Sequence, residues 1–149
     1  MLDRLKKMFT ADEPGPHGPG EHTVDELHLA AAVLLVETAR MDDSIGDDER
    51  ALIVDLVRAR FELSDEAVSS VVELADQVAH DAVELSRFTR RIRDDFDHDE
   101  RIEMIEMLWR VVYADGVVHD HEANLLRRVA GLLYVSDRES GAARKRAIA

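Results

Sequence analysis

The chain of 149 residues contains no cysteine. Disulfides, thiolate metal sites and thiol redox chemistry are therefore excluded, and the cytoplasm is the expected compartment. Proline is almost absent. Its three copies, Pro14, Pro16 and Pro19, fall in one short stretch, so the chain beyond them is free of the strongest helix breaker. Aromatic residues make up only 5%, and 19 Lys and Arg face 32 Asp and Glu, a formal charge of −13. Such a charge repels nucleic-acid phosphate, so no DNA or RNA partner is expected. The longest apolar run, Leu29 to Val36, is far shorter than the roughly 20 residues that span a bilayer. Nothing at the N-terminus reads as a cleavable signal. No stretch alternates with a period of two, so no strand is expected. No glycine-rich phosphate loop, clustered histidine ligands or Ser, Cys or Lys nucleophile setting is visible, and the chain is not expected to be an enzyme.

What the chain does have is a repeat. Asp42-Asp43-Ser44-Ile45-Gly46-Asp47-Asp48-Glu49 lies over Asp115-Gly116-Val117-Val118-His119-Asp120-His121-Glu122, 73 positions later. Without a gap, Asp42 falls on Asp115, Glu49 on Glu122, Leu52 on Leu125 and Phe61 on Tyr134. A repeat of this kind points to one supersecondary unit packed against its relative. The hydrophobic fraction of 46% and charged fraction of 34% fit a helix-rich globule.

Met1 to Phe9 reads as a short basic amphipathic helix, a candidate for peripheral membrane contact or for folding back onto the domain. Residues 10–22 read as a Pro/Gly linker, and 23–149 as the folded domain. Thr23 and Glu26 make a capping box for a first helix reaching about Met41. Its apolar centre marks it as the most buried. A second helix spans about Asp48 to Arg60, with Leu52, Ile53, Leu56 and Val57 as its inner stripe. Ser64 caps a third through Val68, Val71, Val72 and Ala75. A fourth follows from Asp81, with Val83, Leu85 and Phe88 inward and Arg87, Arg90, Arg91 and Arg93 mostly outward. Asp97 starts a fifth, carrying Ile105, Leu108, Trp109 and Val112. A sixth runs from about Asp120 to Leu133, and Ser136 with Glu139 caps a short seventh. The expected fold is an all-α bundle of about seven helices, with an internally duplicated helix–acidic loop–helix unit.

In each loop a carboxylate (Asp42, Asp115) ends one helix and another (Glu49, Glu122) sits in the first turn of the next. The second position suits the helix dipole; the first opposes it. One account is local: Asx turns and caps. The other is a cation held by Asp42, Glu49, Asp115 and Glu122, with calcium or magnesium preferred over zinc because the donors are hard oxygens. The spacing is not that of an EF-hand. His119 and His121 flank the second loop and would suit zinc if they joined Asp115.

Ala114-Asp115-Gly116-Val117-Val118-His119-Asp120-His121-Glu122 resembles the Ala-Asp-Gly-x-(Ile/Val)-x-x-x-Glu signature of the TerB-like, tellurite-resistance-associated family. Arg40 to Arg50 resembles its first copy, with Met41 and Asp43 replacing the usual Ala and Gly. The resemblance covers about residues 25 to 140. It implies an internally duplicated helical bundle, an acidic surface thought to bind a divalent cation, and a link to bacterial stress responses. It does not imply tellurium chemistry, since the chain lacks thiols. The expected function is a cytoplasmic binding module that docks protein or membrane-associated partners. The alternatives are a metal-dependent hydrolase and an ion-free structural adaptor.

Overall fold

The computed structural model describes residues 20, 21, 23–42, 46–78, 82–113 and 120–148. The expected basic helix at residues 1–9 and most of the linker lie outside this set. Seven helices follow in order: α1 (Val24–Arg40), α2 (Asp47–Arg60), α3 (Asp65–Val78), α4 (Ala82–Asp95), α5 (His98–Val112), α6 (Asp120–Leu132) and α7 (Asp137–Ile148). No strand occurs among the described residues, and no described helix is long and apolar enough to cross a membrane.

α1 is the hub. It packs against α2, α3, α4, α5 and α6, and every residue from Leu29 to Ala39 is buried. A helix apolar on all sides gains from neighbours on all sides, at roughly 25 cal/mol per Å² of apolar surface covered. α5 is its counterpart, burying Met104, Ile105, Met107, Leu108 and Trp109 between α1, α2, α6 and α7. Met104, Met107 and the single tryptophan are core residues, and the partly buried Met41 packs against the core. Trp109 donates its Nε1 proton to Ser140 Oγ at 3.2 Å, which ties α7 to α5 and satisfies the buried indole.

The caps are where the sequence places them. Thr23 Oγ1 accepts the Glu26 N–H and Ser64 Oγ that of Ala67. Asp97 with Glu100 and Ser136 with Glu139 form reciprocal capping boxes, each satisfying two backbone donors. Gly20, in the left-handed region at φ 81°, donates its N–H to Glu100 Oε1 at 2.7 Å. That joins the chain's entry into α1 to the start of α5.

Two expectations fail. Leu52 is 46% exposed, so the inner stripe of α2 is Ile53 and Val57 with Leu56 half-buried. Val83 is 62% exposed, leaving Leu85 and Phe88 as the inward residues of α4. Adjacent apolar positions on a helix differ by about 100°, so the stripe turned in the structure is narrower than the stripe of apolar letters.

The ends of α2 and α6 share a geometry, one position out of step with the repeat. Glu62 (φ 52°) and Tyr134 (φ 57°) are both left-handed. Leu63 N–H bonds Arg58 O at 3.0 Å, and Val135 N–H bonds Ala130 O at 2.9 Å. These are paired Schellman-type stops. They align Phe61 with Leu133, both buried, rather than with the exposed Tyr134. Ser64 and Ser136 then follow as the next N-caps.

Candidate functional site

α1 and α2 run antiparallel. Near the start of α1, His28 stacks on Phe61 at the end of α2, with ring centroids 4.3 Å apart and 9° between planes. At the opposite end, Arg50 of α2 donates Nε to Ala39 O and Nη2 to Asp42 O, each at 3.2 Å. The first acidic loop closes this second end.

Asp42 follows the C-cap residue Met41 and donates its N–H to Ala39 O at 3.3 Å. Its half-buried carboxylate lies 3.9 Å from Arg128 Nη1 of α6. Two guanidinium groups thus meet this helix C-terminus, one at its backbone carbonyls and one at the carboxylate. Arg50 meets the negative end of the α1 dipole, and Arg128 faces the side chain itself. Neither arginine was singled out by the sequence. Arg50 carries one local signal, its i,i+3 pairing with Asp47 at 3.1 Å, but its reach back to Ala39 O is set by the turn. In the aligned repeat Arg50 falls on Ala123, so the second copy lacks this clamp.

The first turn of α2 carries Asp47, Asp48 and Glu49 behind Gly46, an N-cap with no side-chain hydrogen bond. The helix dipole favours this charge. Asp48 and Glu49 are exposed and their side chains make no hydrogen bond or ion pair with described residues, while the Asp47 side chain is 99% exposed. Glu122, the partner of Glu49 in the repeat, is instead buried in the first turn of α6. The two aligned glutamates therefore occupy opposite environments.

Asp115 and His119 lie outside the described residues, as do the side chains of Asp120 and His121. Among the described residues no three His, Asp or Glu side chains gather at metal-holding distance. An ion at the first loop would draw on Asp42 and Glu49, whose hard oxygen donors suit calcium or magnesium. The acidic run from Asp94 to Glu100 has structural uses. Phe96 is fully buried, Asp95 pairs with Arg91 at 3.7 Å, and Asp97 caps α5.

No curated protein and no solved structure matches the chain significantly. The family model described as tellurite resistance protein TerB matches residues 28–145, which takes in α2 to α6 whole, α7 as far as Lys145 and all but the first turn of α1. The chain belongs to the TerB family.

Proposed function

We propose that this chain is a non-catalytic binding module of the cytoplasm, serving a stress response by docking a basic protein surface or a membrane-associated complex. The observation that carries this reading is the open first turn of α2, where Asp47, Asp48 and Glu49 stand together in an exposed acidic edge. Charge of one sign at an interface rim steers association and selects partners. A divalent cation, calcium or magnesium before zinc, belongs to the same reading, with Asp42 and Glu49 as donors in the first loop and Asp115 and Glu122 in the second. Residues 1–9 would supply any peripheral membrane contact.

Thermal-shift and calorimetric titration of calcium, magnesium, manganese and zinc tests the ion. An ion bound only to the folded state stabilises it by about 2.7 kcal/mol at one hundred times its dissociation constant, a rise of a few degrees in melting temperature. That rise is expected in the wild type and should be missing from a combined Asp42→Asn, Glu49→Gln, Asp115→Asn, Glu122→Gln variant. If no ion moves the wild type, the cation is retired. Docking is tested separately with an arginine-rich peptide, whose binding should weaken in an Asp47→Asn, Asp48→Asn, Glu49→Gln variant. Unchanged binding removes the acidic edge as the docking surface.

A further inference from the structure

We propose that the cleft between α1, α2 and α5 binds a small organic anion, a carboxylate carried on a compact apolar body. The cleft is lined by His28, Arg60, Phe61, Met107 and Arg110, opens to solvent on one side and offers about 210 Å³. A cavity of about 150 Å³ is enough for benzene, so one aromatic ring with its carboxylate fits and a drug-sized molecule does not.

The chemistry of the lining is unusual for a chain of charge −13. Arg60 is exposed, and its guanidinium has no hydrogen bond or ion pair among the described residues. Arg110 Nη2 lies 3.4 Å from Glu106 Oε2, a long contact. That same carboxylate receives Arg146 Nε from α7 at 2.6 Å. Two guanidiniums thus share one carboxylate, and Arg60 adds a third positive charge without a described counterion. Guanidinium groups at a partly enclosed site hold carboxylates through charge-assisted, bidentate hydrogen bonds. The apolar part of the ligand would rest on the base of the cleft, where His28 stacks on the buried Phe61 and the buried Met107 completes the lining. His28 and Asp42 are 14 positions apart, almost all of them in α1, which at 1.5 Å per residue sets them about 20 Å apart. The cleft is therefore separate from the first acidic loop, and the proposal does not depend on any cation there.

Benzoate and its neutral analogue benzamide are the probes, titrated into the full chain by calorimetry and ligand-observed NMR. Benzoate should saturate with a dissociation constant of about 1 mM, and benzamide should bind at least tenfold more weakly. Arg60→Gln should weaken benzoate about tenfold without changing the melting temperature, because Arg60 holds no described partner. Arg110→Gln should weaken benzoate by a similar factor, with circular dichroism reporting the fold because this change also removes the contact with Glu106. Arg87→Gln, on an exposed position of α4 outside the cleft, should leave the affinity unchanged. Equal binding of benzoate and benzamide, undiminished binding by both cleft variants, or an equal loss in Arg87→Gln overturns the proposal. So does the absence of saturable binding at about 10 mM.

Discussion

Glu139 shows how much one side chain can do at a helix start. One carboxylate oxygen accepts the Ser136 N–H at 3.0 Å, and the other lies against His98 Nε2 at the start of α5. These contacts hold its pKa at about 2, well below 4.5, with the Ser136 backbone bond the largest cause and the His98 side-chain bond next. A carboxylate lowered in the folded state contributes stability that is fully present above about pH 4.5 and lost as pH falls through about 2. Urea unfolding measured across that window should show a falling midpoint in the wild type, and Glu139→Gln should remove this part of the slope. Sequence could mark Ser136 and Glu139 as a pair because the capping box is local. It could not reveal His98 as a third member, 41 positions away. The same distinction separates Asp42, legible from the repeat, from Arg128, which reaches it only in the folded bundle.

At the scale of elements, the starts of helices were legible and one kind of stop was not. Thr23, Ser64, Asp97 and Ser136 announce themselves by residue type. Glu62 and Tyr134 sit where glycine is the usual residue, so nothing in their chemistry signals the left-handed turn. A non-glycine residue there carries a conformational cost of about 1 kcal/mol. Glu62→Gly should therefore stabilise the protein by about 0.5 to 1 kcal/mol in chemical denaturation. Tyr134→Gly should gain less or nothing, because the Arg93 guanidinium stands 4.0 Å over its ring and that contact would be lost. A larger gain at Tyr134 than at Glu62 would contradict this account. The one-position slip between the acidic loops and these stops arises because α6 is a residue shorter than α2. Gapless alignment pairs Phe61 with Tyr134 for that reason alone.

For the whole molecule, the asymmetry between Leu52 and Leu125 follows from which helices surround each unit. α2 is packed by α1, α3 and α5, whereas α6 is packed by α1, α4, α5 and α7. The periodicity of α2 marks an apolar face, but only the assembled bundle decides how much of that face is covered. Leu125, 1% exposed, should cost about 2 to 5 kcal/mol when changed to Ala. Leu52→Ala should stay within about 0.5 kcal/mol, and comparable losses at both positions would mean that α2 is covered after all. The architecture was legible from Leu29 to Val36, the caps and the scarcity of proline; the candidate site was legible only as a set of carboxylates. The contact between Gly20 and Glu100 spans 80 positions, and the same Glu100 oxygen also accepts the Asp97 N–H at 2.9 Å. The Gly20 amide is therefore a reporter for the far half of the fold. In native-state hydrogen exchange its protection should be lost when the first turn of α5 opens, in step with the Asp97 amide, even while the body of α1 stays closed.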